Sequence, residues 1–483
     1  MSGLLISLFF TLFYQPELWL HYPPLEEIGS VSFSSRQIYI AVPDGIYILD
    51  RYSYQHLRTL TSADGITDRI RFCAYNPFGG ELLIAGTSRL YSFVPGTGQL
   101  QPLNPPFSEL RSIGIAQNGA FFDTEKGMFQ KIRSLDQFRT PGFQKIRSLD
   151  QFRTPGELQP PVRWFGEKDT TPIRRWTFLT PYHILDADLN IRQLTKAWPD
   201  ERSARLYVAS PGYGILVYNL FSGLKERELR PGPPAGPITR ILRYDQQLWF
   251  LTEDGAAGID SMKNWYYTSR TGSSPHINFL PALDRVLELH HREKILGMLN
   301  YAGNTLIATA NGVYTISPDS KLNLLWKLER GLNDLSLVRD TLLVATDEGL
   351  LLVTDDSLIP VTDPFARSDF GVYSIVRADR TFFFGTLGRI LRLDTTNTWT
   401  QIIPPGFDLS RPVRTMTAGG NYLFIADGST IHTLNLKNDA WIVIDRSTGL
   451  PEGEITALFA DERYLWIAGS RFLSRFEYRR QLR

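Results

Sequence analysis

Apolar residues along this chain fall in short runs that end at a small residue, break at a polar turn containing glycine, and then resume. The clearest copies are IYIAVPDGIYILD (38–50), LYVASPGYGILVYN (206–219), LWFLTEDGAAGID (248–260), LIATANGVYTIS (306–317), TLLVATDEGLLLVT (341–354), FFFGTLGRILRLD (382–394), YLFIADGSTIHTLN (422–435) and YLWIAGSRFLSRFE (464–477). LLIAGTSRLYSF, AFFDTEKGMFQ and TFLTPYHILD are weaker members. Each copy is two β-rich runs of four to six residues around a tight turn, and so predicts a β-hairpin. Anchored on Ala41, the equivalent positions are Ala85, Asp123, Leu179, Ala209, Leu251, Ala308, Ala345, Gly385, Ala426 and Ala468, which makes eleven repeats. Their successive spacings are 44, 38, 56, 30, 42, 57, 37, 40, 41 and 42.

A period of about 40 to 45 residues with four short strands per unit is the signature of β-propeller blades. The expected fold is all-β, a β-propeller built from about eleven four-stranded repeats. One ring usually holds about four to eight blades, so two tandem propellers are expected, with one large or irregular ring as the alternative. The anchor spacing of 57 and the turn-rich TSRTGSSPHINFLP (268–281) place the division. The resulting segments are 1–15 as a candidate signal peptide, 16–272 as the first ring with an N-terminal closing strand, and 273–483 as the second ring. The last repeat stops about where a fourth strand should begin, and ELWLHYPPLEEI (17–28) resembles the outer strand AWIVIDRSTGLP. The segment around Trp19 is therefore expected to complete the last blade, which removes an exposed sheet edge.

The stretch FQKIRSLDQFRTPGFQKIRSLDQFRTPG (129–156) is one 14-residue unit written twice. It lies in the interval of 56; removing one copy restores 42, the ordinary period. One copy is then native to the blade, and the other is an insertion at a tolerant outer strand or inter-blade loop. Trp265, Trp326, Trp399 and Trp441 recur 14 to 18 positions past their anchors, which points to packing between blades and not to a ligand platform.

Composition narrows the function classes. Hydrophobic residues make up 43% and aromatics 12%, with 38 Gly and 30 Pro, a balance that favours strands and turns. The net charge is +1, from 51 basic and 50 acidic residues, and nothing requires a nucleic acid as partner. The basic tail RFEYRRQLR (475–483) reads as a solvated terminus. The single cysteine, Cys73, excludes an internal disulfide and reads as a buried small hydrophobe. The mainly apolar run from Leu4 to Phe13 is ten residues, about half the length that spans a bilayer. Its length suits a secretory signal peptide and hence a periplasmic or extracellular location. It lacks a basic n-region and a small-x-small cleavage site. A buried first strand, and with it a cytoplasmic location, is the alternative. No other run approaches a membrane span.

Reaction motifs are missing. There is no GxSxG elbow, phosphate loop, HExxH or Cys/His zinc spacing. The histidines are scattered at His21, His56, His183, His276, His290, His291 and His432. Adjacent His290 and His291 point to different sides of any element and do not form a chelate by themselves. Asp186, Asp188 and Asn190 in DADLN sit where a calcium loop would need Gly at its sixth place and Glu at its twelfth, but Ile191 and Ala197 stand there. A turn is the expected structure. No catalytic, cofactor-binding or metal site is assigned, no cofactor is expected, and the binding residues are left open.

The C-terminal unit GLPEGEITALFADERYLWIAGSRFLSRFE (449–477) resembles the two-component regulator propeller repeat, through Gly449, Leu450, Pro451, Asp461, Leu465, Trp466 and Ile467. GITDRIRFCAYNP from Gly65 and GLNDLSLVRDTLLVATDEGL from Gly331 are partial echoes, and Gly385 and Thr386 reproduce a Gly-Thr pair. The resemblance implies a stand-alone exported propeller, without kinase or transmembrane helix, that senses a ligand or binds a protein. The partner would be a protein, a small molecule or a glycan. The alternatives are a propeller enzyme, such as a glycan lyase or hydrolase or a lactonase-like hydrolase with channel-lining catalytic residues, and an assembly component of an envelope or secretion machine.

Overall fold

A computed structural model of the chain describes residues 9–10, 14–107, 109–116, 119–132, 142–146, 162–169, 173–179, 182–185, 191–233, 236–244, 247–252, 255–259, 265–269, 285–286, 289–290, 292–301, 304–317, 319, 321–327, 331–338, 341–353, 357–361 and 371–482. Among the described residues the chain is all-β, in eight four-stranded sheets, two five-stranded sheets and one two-stranded ladder. Strands consecutive in sequence pair antiparallel, as in Gln37–Val42 with Gly45–Asp50 or Thr341–Thr346 with Gly349–Val353.

Ten of the eleven anchors lie in the second strand of such a sheet. Leu179 does not. It ends a 3-10 turn, Thr177–Leu179, and among the described residues the next ladder is His183–Leu185 with Ile191–Gln193. The reason is local. TFLTP has no glycine turn, and Pro181 cannot donate to a ladder. The run closes into turns and buries Ile173 and Leu179 against Ala197 and Leu206.

The second strands explain the unbroken apolar runs. Residues Ile38 to Val42 are at most 1% exposed. A strand covered on both faces reads as a continuous apolar run and not as an alternation. At Gly385 the anchor is small because the chain before the next sheet and the first strand of its own sheet pass it closely. A Cβ on Gly385 would stand 2.4 Å from the carbonyl oxygen of Val413 and 2.3 Å from Ser374 Oγ. Outer strands such as Lys225–Leu229 and Leu322–Lys327 are mostly exposed, and charge on such edges discourages further pairing.

The chain divides into two compact units, one of residues 21–235 and one of residues 1–20 with 236–483. The division falls within RPGPPAGP (230–237), which carries four prolines and two glycines; the spacing of anchors places it near 272. The sheet from Ile238–Tyr244 to Trp265–Ser269 therefore packs with the later sheets. Residues 270–281, the expected junction, lie outside the described residues.

In the 236–483 unit, the first strands of successive sheets lie side by side. Asp334 accepts from the Ile375 amide at 2.9 Å, Ser374 donates to the Val413 carbonyl at 2.6 Å, and the Ala460 amide donates to Thr417 Oγ1 at 3.1 Å. Thr456 Oγ1 donates to the Ile238 carbonyl at 2.6 Å, so the last first strand lies against the earliest. Apolar side chains of neighbouring sheets form the core between them, as Phe382, Phe384 and Leu391 do with Leu343 and Leu350.

Trp19–Tyr22 is the outermost strand of the sheet made by Ile455–Ala460, Leu465–Gly469 and Leu473–Phe476. Within the 236–483 unit and its N-terminal addition, Trp19 stacks on Phe476 at 4.5 Å, and the Glu477 amide donates to the Leu18 carbonyl at 2.9 Å. Of the candidate signal segment, Phe9–Phe10 pairs in parallel with Trp441 and Ile442; most of the rest lies outside the described residues.

Both copies of the doubled unit contribute a strand. Phe129 to Ile132 belong to the third strand of their sheet, and Gly142–Ile146 forms the outermost strand beside it. The register opposes Gln130 to Gln144, Phe129 to Lys145 and Lys131 to Phe143, so FQK pairs with its own inverted copy. A fifth strand, Arg163–Gly166, borders the other side of this sheet.

Candidate functional site

The first strands of the 236–483 unit share an irregularity at their start. The register with the second strand slips between Ile238 and Arg240, between Ile295 and Gly297, between Leu332 and Asp334, and between Ile455 and Ala457. The residues left out of the ladder are Thr239, Leu296, Asn333 and Thr456. A bulge of this kind bends the strand and re-aims the extra side chain. In the other two sheets the strand starts one residue later, and Tyr373 and Thr415 occupy the same place. The Tyr373 amide donates to the Gly385 carbonyl at 2.8 Å, and the Ala426 amide to the Thr415 carbonyl at 3.0 Å. All six residues line one cavity of about 830 Å3. Every one stands eleven or twelve positions before its anchor.

The same cavity collects charge. Arg240, Lys294, Arg411 and Arg414 line it, with Asp427 and Glu454 as its carboxylates. Arg411 is engaged, its Nε 3.1 Å from Asp408 and its Nη1 4.0 Å from Asp427. Arg414 lies over the Tyr373 ring, 5.1 Å from its centroid. Arg240 donates to the Asn333 carbonyl at 3.4 Å. Beside them, Asp334 accepts from the amides of Ile375 and Leu335, both at 2.9 Å. Burial pushes its carboxyl above the usual range, and the Arg240 guanidinium and the two amides oppose that rise. Gly297 leaves the space that this carboxylate uses, since a Cβ there would stand 3.2 Å from Asp334 Oδ1.

Behind the cavity wall, His432 is buried with Nε2 3.9 Å from Asp427 Oδ2 and its ring edge-on to Phe407 at 5.6 Å. Burial lowers the pKa of this imidazole, and Asp427 works against the shift.

Three neutral polar side chains of the lining are already committed. Thr239 Oγ1 donates to the Leu251 carbonyl at 3.2 Å, and Thr456 Oγ1 to the Ile238 carbonyl. Asn333 Nδ2 donates to Asp347 at 2.9 Å and to the Val372 carbonyl at 3.0 Å. These bonds fix the wall and leave its cations to face the cavity.

The sequence features singled out earlier are mostly scaffold. Trp265 and Trp399 pack on Phe250 and Phe384 at 5.5 and 5.2 Å, and Trp441 is buried in a core cluster. His290 Nε2 meets the Thr252 carbonyl at 2.9 Å, and His291 and DADLN lie outside the described residues. Cys73 is fully buried beside Ser30, and burial pushes its thiol up to about 12. Among the described residues, no group of three or more His, Cys, Asp or Glu is placed to hold a metal. Gly449 closes the 3-10 turn Arg446–Thr448 with φ 111°, Leu450 is 1% exposed, and Asp461 Oδ1 accepts from the amides of Arg463 and Tyr464. A second recess, of about 700 Å3, runs between Ser429 and Pro451.

In the 21–235 unit the notable charges are internal. Arg51 pairs with Asp200, both side chains under 10% exposed at 7% and 5%. Arg163 lies over the Phe33 and Phe165 rings at 5.4 and 5.2 Å.

No protein-family model and no curated protein matches the chain. Solved structures do. The extracellular domain of a hybrid two-component system of B. thetaiotaomicron is similar at 12% identity and a TM-score of 0.37, over 93% of this chain and 68% of that one. The extracellular domain of a one-component system of the same organism gives 11% and 0.34, over 93% and 70%. The Pan2 WD40 domain of Neurospora crassa gives 10% and 0.33, over 59% and 89%. Among the described residues, no helix is long and apolar enough to cross a membrane.

Proposed function

We propose that the chain is a non-catalytic, exported β-propeller protein that acts as a ligand-sensing or protein-interaction scaffold. In this reading the 236–483 unit is a closed ring of six blades, and its recognition surface is the cavity at the start of the first strands. One observation carries it: six consecutive sheets each send one bulge-position residue, from Thr239 to Thr456, into the same cavity. A site assembled from every blade belongs to the ring, and sites of about 300 to 1,000 Å3 suit small molecules. The two lining carboxylates do not form an acid–base pair in this reading. Asp427 is turned toward Arg411 and His432. The length of the apolar run 4–13 supports export, whereas the pairing of Phe9–Phe10 with Trp441 and Ile442 fits a retained strand; N-terminal sequencing of the mature protein decides between them.

The test is a thermal-shift screen of small molecules and peptides on the whole chain, beside a Thr456→Trp variant that fills the cavity. A ligand present at about 100 times its Kd adds about 2.7 kcal/mol of stability. The proposal expects ligands whose stabilisation disappears in the variant. Turnover of a substrate that is abolished by Asp427→Asn or Glu454→Gln would overturn it in favour of a propeller enzyme.

A further inference from the structure

We infer that this cavity takes a small organic polyanion, a molecule carrying two or more carboxylate or phosphate groups. The inference rests on the cavity being the binding site.

Three cations carry the argument. Among the described residues, Arg240, Lys294 and Arg414 have no carboxylate within ion-pair distance, whereas Arg411 has two. Lys294 and Arg414 are exposed and Arg240 is half-buried. They come from three different sheets, at the starts of Ile238–Tyr244, Ile295–Tyr301 and Met416–Gly419. A single anionic group meets one side of such a wall; a molecule with several meets more. Like charges gathered at one concave mouth repel one another, and a cleft of one sign concentrates counter-ions from solution.

The neutral groups point the same way. The hydrogens of Thr239, Thr456 and Asn333 are spent on carbonyls and on Asp347. The hydroxyls of Tyr373, Thr415 and Ser429 also line the cavity, and its charged donors are guanidinium and ammonium groups, which suit oxygens that only accept. Guanidinium binds carboxylate and phosphate through two parallel N–H bonds. Tyr373 holds the Arg414 guanidinium over its face, which orients that fork. Glu454 opposes this charge, and the buried Asp334 carboxyl beside the cavity acts on Arg240; four cations against the two lining carboxylates, Asp427 and Glu454, still leave a positive excess. The volume of about 830 Å3 is far larger than an inorganic ion needs.

The test is calorimetric titration of the full chain with citrate, with inositol hexakisphosphate and with maltotriose as the neutral probe, at low and at high sodium chloride. Lys294→Ala and Arg414→Ala are the informative variants. Arg463→Ala, in the exposed turn after Asp461, is the control, and circular dichroism confirms that each is folded. Citrate or the hexakisphosphate should bind, and affinity should fall about tenfold or more when salt rises to a Debye length of about 3 Å. Each informative variant should cost about tenfold, and the control nothing; which probe wins separates carboxylate from phosphate chemistry. Failure of both polyanions on folded protein overturns the inference. So does binding of maltotriose that Thr456→Trp blocks and Lys294→Ala leaves unchanged. That last result sinks the polyanion and keeps the cavity as a binding site.

Discussion

Replacing Trp19 by alanine tests whether the N-terminal segment is a working part of the last sheet. Trp19 is 6% exposed, stacks on Phe476 at 4.5 Å, and shares a core with Leu18, Leu450, Leu465, Ile467 and Tyr478. A buried tryptophan removes about 150 to 250 Å2 from water, and at about 25 cal/mol per Å2 most of that is lost on truncation. The expected cost is about 4 kcal/mol, within the range of about 3 to 5 seen for Trp→Ala in cores. A unit of this size loses about 2 to 4 °C of melting temperature per kcal/mol, so the 236–483 unit should melt about 10 °C lower. Trp19→Phe keeps a ring against Phe476 and should recover most of the loss. The assay is differential scanning calorimetry, with hydrogen exchange read in Ile455–Ala460, Leu465–Gly469 and Leu473–Phe476. A folded variant whose melting and exchange in these strands match the parent would refute the reasoning.

Other expectations follow from single groups. His21 is buried, and burial lowers its pKa from 6.5 to about 3. Its neutral form is the folded one, so stability is full above pH 6.5 and falls as pH drops toward 3. Between pH 7.5 and 5 the protein should lose about 2 kcal/mol from this group, and a folded His21→Leu variant should lose that slope in urea titrations. Asp334 behaves oppositely: its raised pKa makes the stability it contributes fall as pH rises from 3.8 through the folded value, and Asp334→Asn should flatten that part of the pH profile. Asp200→Ala strands the buried Arg51 guanidinium and should cost about 3 to 5 kcal/mol, measured by chemical denaturation. Among the described residues, deleting 143–156 removes an outermost strand and leaves a four-stranded sheet, so the melting temperature should move by no more than about 4 °C, the equivalent of about 1 kcal/mol; loss of soluble protein would contradict this.

The repeat was legible because a strand buried on both faces must be apolar at every position and small where a neighbour crosses. Ala41, Ala85, Ala308 and Ala345, all fully buried, carry that constraint in their identities. Leu179 misled because an apolar run before a proline has the composition of a strand without the means to pair. The spacing of anchors points to a division near 272, whereas the two compact units meet within the proline-rich 230–237. The cavity was not read at all. Its residues are Thr, Leu, Asn and Tyr at bulges, of no shared chemical type, and their cations come from three sheets far apart in sequence. The signal available was positional: count twelve back from each anchor and the lining appears.

The doubled segment carries a lesson about how sheets grow. A strand added to an edge ordinarily needs a new sequence that matches the old one in register. FQK needs none, because read backwards against itself it opposes Gln130 to Gln144 and sets Phe beside Lys on both flanks. The repeated unit thereby supplies both an extra length of chain and a strand that pairs with the original. Antiparallel pairing of a segment with its own copy lets an edge strand serve as the template for its own successor.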